Sequence, residues 1–167
     1  VQSNTIVLGH NQADLDVRNV TVRTAMRLTQ FTDYALRLLI YAATNGERLV
    51  TIEEASDVYG ISRNHLMKVA NLLTREGYLR AVRGRSGGLT LARPATEINL
   101  GAVVRATEPD FAMVECFAAD NRCRITPGCR LKTILNRALK AFIAELDQHS
   151  LADLAVDPAL FGIEHSA

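Results

Sequence analysis

The apolar positions of this chain change period along its length, and each change marks an element. From Phe31 they fall at helical spacing, with Phe31, Tyr34, Ala35, Leu38, Leu39 and Ala42 on one stripe and Asn45-Gly46 as a stop. The stretch "TIEEASDVYG" predicts a short second helix: Thr51 caps it, Glu54 three residues on completes a capping box, and Gly60 closes it. A third helix runs from a Ser62 cap to Gly77, with Leu66, Val69, Leu72 and Leu73 turned inward. The period then drops to two. "YLRAVRG" and "LTLAR" flank the turn "RSGG", and Leu79, Ala81, Leu89 and Leu91 alternate as in a β-hairpin. Two helices joined by the short "YGIS" turn, followed at once by a basic-tipped hairpin, read as a winged helix-turn-helix.

A further helix spans about 99–107. Thr126 and Pro127 then restart a long helix reaching about Gln148, with Leu131, Ile134, Leu135, Ala138, Phe142 and Leu146 as a stripe. Lys132, Arg137, Lys140 and Glu145 occupy its other face, and "SLADLA" adds a last turn in which Ser150 and Asp153 form a second capping box. Residues 1–25 are polar and carry no sustained stripe; they are expected to be a loosely ordered extension, with Met26 as the usual start. The fold class is mainly α, with a winged helix-turn-helix over 26–108, a loop over 109–130, a long helix with its closing turn over 131–155 and a tail over 156–167.

Composition narrows the function classes. At 167 residues, 48% apolar and 22% charged, the chain has the profile of one globular domain. No apolar run approaches the ~18–20 residues of a membrane span, and the first 25 residues lack the pattern of a signal peptide, so the expected location is the cytosol. The net charge of +1 conceals an asymmetry: between Ile61 and Arg93 stand seven basic residues and one acid, Glu76, whereas from Glu145 onward the fixed charges are all acidic. A basic middle fits a phosphate-facing surface or a solvated face.

The motif favours nucleic acid. In a helix-turn-helix the start of the second helix meets the base edges, and here it offers Ser62, Arg63, Asn64 and His65, with Lys68 a turn further on. Arg pairs bidentately with guanine and Asn with adenine. Arg83 and Arg85 at the wing tip reach phosphates or the neighbouring minor groove. Winged helices also serve as protein–protein modules, but basic residues gathered on this helix and wing favour double-stranded DNA.

All three cysteines, Cys116, Cys123 and Cys129, lie in "CFAADNRCRITPGC", spaced C-x6-C-x5-C. This is not the spacing of a zinc ribbon, a haem site or a C-x-x-C redox pair. Arg122, Arg124 and Arg130 flank the sulfurs, and Cys129 falls in the first turn expected for the long helix; both features favour thiolate. By pattern alone the loop can ligate an iron–sulfur cluster, bind a soft metal or act as a free thiol sensor. A Ser/His/Asp grouping, a phosphate loop and paired carboxylates are not evident, and the four histidines are scattered, so an enzyme is not indicated.

The segments "MRLTQFTDYALRLLIYAA", "DVYGISRNHLMKVANLLTREGYLRAVRGRSGGLTLARPATEINLGAVVRATE", "CRITPGCRL" and "LDQHSLADL" closely resemble the NsrR family of nitric-oxide-sensing iron–sulfur repressors. That family belongs to a winged-helix superfamily that also contains IscR and RirA, and the likeness runs from Met26 to about Val156. The resemblance implies a homodimer paired through the long helix, an iron–sulfur cluster (4Fe–4S favoured, 2Fe–2S possible) held by Cys116, Cys123 and Cys129, and a fourth ligand, Asp33, from the other subunit. Taken alone, Asp33 reads as a cap or dipole partner in a first helical turn.

The implied function is repression at an inverted-repeat operator, relieved when nitric oxide attacks the cluster and frees nitric-oxide-detoxification genes. Lys132 stands where IscR-like members carry a His ligand, which argues against their ligand set. "DFAMVECF" resembles RirA-type iron regulators and keeps an iron-responsive reading open, alongside a cluster-free thiol sensor.

Overall fold

The computed structural model describes residues 27–162, so the expected extension over 1–25 lies outside the described residues. Its helices are α1 (Gln30–Thr44), α2 (Ile52–Tyr59), α3 (Arg63–Arg75), α4 (Leu100–Thr107) and α5 (Arg130–Leu146), with strands β1 (Leu79–Val82) and β2 (Gly88–Leu91). The first three helices and the hairpin enclose one core. Leu38, Leu39, Leu66, Val69, Leu73 and Val103 are fully buried in it, and Ile98 and Leu151 close it from below. Burying a Leu or Ile side chain contributes roughly 1.5–3 kcal/mol, so this core carries most of the stability of the winged helix.

The caps read from the sequence are present. The Thr51 hydroxyl accepts from the Glu54 backbone N–H while the Glu54 carboxylate accepts from the Thr51 N–H at 2.7 Å. Ser150 and Asp153 form the second box. Gly60 ends α2 in the left-handed region at φ 63°, a conformation that a Cβ disfavours, and Ile61 behind it is buried. Between them they set the turn that aims α3.

β1 and β2 pair antiparallel with Leu79 opposite Leu91 and Val82 opposite Gly88. Val50 adds a third rung by exchanging two backbone hydrogen bonds with Leu89, at 2.9 and 2.7 Å. The expected alternation holds only at the base. Leu79 is buried, but Ala81 is exposed, and Thr90 is buried beside Leu89. β1 leaves the core after Leu79, whereas β2 keeps Leu89 and Thr90 buried.

α5 also departs from expectation. A short 3-10 turn covers Thr126–Gly128, Cys129 is extended (φ −82°, ψ 115°), and the α-helix begins at Arg130 and ends at Leu146. Cys129 is therefore the residue before the helix, not part of its first turn. No residue of α5 is fully buried. Its C-terminal end is clasped to α4: Arg105 Nη1 donates to Asp147 Oδ1 at 2.8 Å, Asn99 Nδ2 donates to the Asp147 carbonyl at 2.7 Å, and the Leu100 N–H donates to the His149 carbonyl at 3.0 Å.

Two predictions follow from these joints. A Cβ on Gly101 would stand 2.0 Å from Asp147 Oδ1 and 3.2 Å from its backbone nitrogen. Gly-to-Ala in a helix ordinarily gains up to ~1 kcal/mol; Gly101→Ala should instead destabilise by about 1–3 kcal/mol, read as a lowered Tm by circular dichroism. Burial pushes the Glu54 carboxyl up, but the Thr51 N–H and the Arg48 guanidinium outweigh it, so its pKa lies below the usual carboxylate range. A lowered folded pKa contributes stability at neutral pH that is lost as pH falls through the carboxylate range. Glu54→Gln should accordingly flatten the acid limb of the stability–pH curve.

Candidate DNA-reading surface and cysteine loop

α3 is anchored by its buried face of Leu66, Val69, Ala70 and Leu73, which leaves the opposite face free. Asn64, Lys68, Asn71 and Arg75 follow one another there at helical spacing, all exposed. Ser62 caps the helix by accepting from the His65 N–H, so its hydroxyl is engaged in holding the start of α3. The other two residues expected at the base edges each touch a neighbouring helix while staying exposed. Arg63 forms an ion pair with Glu53 of α2, and the His65 ring tilts over Tyr34 of α1 with centroids 6.1 Å apart. Met67, 47% exposed in the middle of this face, and Asn71 were not singled out by the sequence reading. A lone Met between buried positions of an amphipathic helix was the available signal, and its apolar tip suits a thymine methyl.

At the wing, Arg80, Arg83 and Arg85 are exposed. The Gly87 N–H closes the tip by donating to the Gly84 carbonyl at 3.0 Å, and a Cβ on Gly87 would stand 2.4 Å from the Val82 carbonyl oxygen. The tip is thus narrow because only hydrogen fits there. Arg93 does not share this surface. Its guanidinium lies 4.8 Å from the centroid of the Tyr78 ring, and burial pushes the Tyr78 hydroxyl pKa up against the opposing pull of Arg93. The basic face is smaller by that one residue than the sequence count suggests.

The cysteine loop leaves α4 at Glu108, whose Oε1 accepts from the Thr29 N–H at 2.8 Å and ties the loop's origin to the start of α1. Within the loop, the Cys123 N–H donates to Asn121 Oδ1 at 3.0 Å, Asn121 Nδ2 donates to Thr126 Oγ1 at 2.9 Å, and the Arg122 N–H donates to Glu115 Oε1 at 3.1 Å. Cys116, Cys123 and Cys129 are all free thiols and all half-buried. They do not converge: among the described residues, no three of His, Cys, Asp and Glu gather into a set that could hold a metal ion. Asp33 sits in the first turn of α1, where its Oδ1 accepts from Arg37 Nε at 3.0 Å. The donors suit a sulfur-ligated iron group by kind, being unpaired thiols on a loop with little regular structure. Their gathering requires the loop to rearrange.

α5 presents two apolar faces where the sequence suggested one stripe. Leu135, Leu139, Ile143 and Leu146 are half-buried toward the body, and Leu139 lines an open cavity of about 570 Å³ with Phe111, Phe117, Lys132 and Asn136. Leu131, Ile134 and Phe142 are exposed at 55%, 52% and 40%.

Three helices followed by a basic-tipped two-stranded hairpin define a winged helix-turn-helix. Residues 28–157 match the model of the Rrf2 family, described as iron-dependent transcriptional regulators, and the chain belongs to that family. It is accordingly a DNA-binding regulator and not an enzyme, in a family that dimerises. Among solved structures it resembles the oxidised form of Staphylococcus aureus CymR, at 25% identity over 78% of this chain and 96% of that one, with a TM-score of 0.63. T. potens IscR shares the fold at 22% identity, covering 86% and 93% with a TM-score of 0.62. So does the global cysteine regulator CymR of B. subtilis, at 22% identity over 78% and 97% with a TM-score of 0.61.

If α3 and the wing face the DNA, affinity should fall steeply with salt, because each neutralised phosphate releases counterion. Arg83→Ala with Arg85→Ala should reduce the slope of log K against log salt by about one unit per lost phosphate contact, measured by fluorescence anisotropy on any one duplex.

Proposed function

We propose that this regulator is a homodimeric repressor whose hold on an inverted-repeat operator depends on an iron–sulfur cluster in the cysteine loop, and that nitric oxide is its signal. The observation that carries this reading is the position of the three free thiols. They lie on the one segment that links α4, tied to the DNA-binding core, to α5, whose exposed Leu131, Ile134 and Phe142 form a face suited to a second copy. Any group that gathers those sulfurs changes the path of that link.

In this reading Cys116, Cys123 and Cys129 hold the cluster as thiolates and Asp33 of the other subunit supplies an oxygen. When bound, the cluster supplies iron that nitric oxide can attack. The remaining work falls to the chain. Asp33 Oδ1 accepts from Arg37 Nε, so in this reading the cluster and the arginine share one carboxylate. The loop holds α5 at one end while the Arg105–Asp147 clasp holds it at the other, which fixes the spacing of the two α3 helices across the dimer. Release of the loop removes one of those two constraints. A ligand shifts DNA affinity only through its different interaction with the two shapes, typically by ~1–3 kcal/mol.

The second reading is a thiol sensor without a cluster. It draws on the unconverged free thiols here and on the likeness to the oxidised CymR structure. Anaerobically purified protein separates the two. The cluster reading expects visible colour, iron and sulfide, and DNA binding that falls on addition of nitric oxide; colourless protein with all its thiols free, or equal binding by cluster-loaded and cluster-free protein, contradicts it. Cys116→Ala, Cys123→Ala or Cys129→Ala should each abolish the visible absorbance. Arg63→Ala should leave the absorbance intact and weaken operator binding by about 1–3 kcal/mol.

A further inference from the structure

Glu53 is an acid placed beside the most basic surface of the molecule, and its carboxylate is not used for folding. Its neighbour Glu54 closes the capping box of α2 and holds Arg48 at 2.8 Å. Glu53 points outward, 63% exposed, and its partner is Arg63, the first residue of α3, itself 57% exposed. The bond joins Glu53 Oε1 to Arg63 Nη2. An ion pair this open to water adds little stability, and an acid near phosphates weakens DNA binding by repulsion. Its consequence is therefore sought in what it does to Arg63.

A free arginine samples many rotamers, and a base contact must freeze them. The ion pair takes one N–H, on Nη2, and restrains the arginine toward α2. The remaining N–H donors stay available, and they suffice for a bidentate contact with guanine O6 and N7. Lys68 and Asn71 stand further along the exposed face.

We propose that Glu53 is a positioning residue for DNA reading: it holds Arg63 in the pose that selects guanine, so that sequence preference at one base pair rests on the pair and not on the arginine alone. The proposal rests on α3 being the recognition helix. It predicts an asymmetric effect, because removing Glu53 deletes a repulsive charge as well as a buttress. Binding to non-cognate duplexes should tighten while discrimination declines.

The test is selection from a randomised duplex library with the anaerobically purified full chain, comparing wild type, Glu53→Ala, Glu53→Gln, Arg63→Ala and the double variant. Glu53→Ala and Arg63→Ala should relax preference at the same base pair, roughly fivefold or more, with the double variant no worse than Arg63→Ala. Glu53→Gln keeps an oxygen acceptor and should retain most of the preference. Unchanged Tm and visible absorbance in every variant confirm that the effect lies in reading and not in folding. If Arg63→Ala relaxes the preference and Glu53→Ala leaves it untouched, or merely tightens binding to all duplexes alike, the positioning role is overturned while the recognition helix stands. If Arg63→Ala changes nothing, both fall together.

Discussion

The arrangement of this molecule depends on the clasp between α4 and the end of α5. α5 buries no residue completely, so packing alone does not fix its direction. The carboxylate of Asp147 lies over Gly101 and engages Arg105, while Asn99 and Leu100 bind the carbonyls of Asp147 and His149. The Arg105 hydrogen bond holds the Asp147 carboxyl below the usual range, so the pair is charged at neutral pH. Leu151, buried immediately beyond, anchors the joint to the core. An arm joined firmly at one end and by an irregular loop at the other is suited to transmit what happens in the loop.

Most of the fold was legible because its signals are local. Capping boxes at Thr51 and Ser150, the Gly60 stop, the stripe through Leu38 and Leu39 in α1 and that through Leu66 and Leu73 in α3 each depend on residues a few positions apart, and each of these elements is where they point. The misses share a different cause. Ala81 alternates correctly yet is exposed, although its cross-strand partner Leu89 is buried. Arg93 counts as basic yet packs on Tyr78, a contact made across the sheet and invisible to a charge sum. Thr126 and Pro127 resemble a helix start but form a 3-10 turn, which moves Cys129 out of the helix. The second apolar face of α5, through Leu139 and Ile143, could not be separated from the first while the position of the loop was unknown.

The candidate site was legible in its parts but not in its assembly. Residue types nominated α3, the wing arginines and the three thiols, and all lie on accessible or half-buried surfaces. The Glu53–Arg63 pair joins two helices whose relative placement is set by the turn at Gly60, so no spacing rule along one helix predicts it. Cys116, Cys123 and Cys129 do not converge among the described residues, so the proposed ligand set with Asp33 of a second copy is not legible in one chain. Under the proposed function the DNA-reading groups are preformed, and the sensing site forms only when the loop gathers its thiols.

The central claim is that the state of the loop decides which dimers bind DNA. Native mass spectrometry of an anaerobic mixture of duplex with protein only partly loaded with cluster reads this directly, because it weighs DNA-bound and free dimers separately. The account predicts that DNA-bound dimers carry iron and sulfide in excess over the free pool. Equal iron and sulfide content in the bound and free dimers would contradict it.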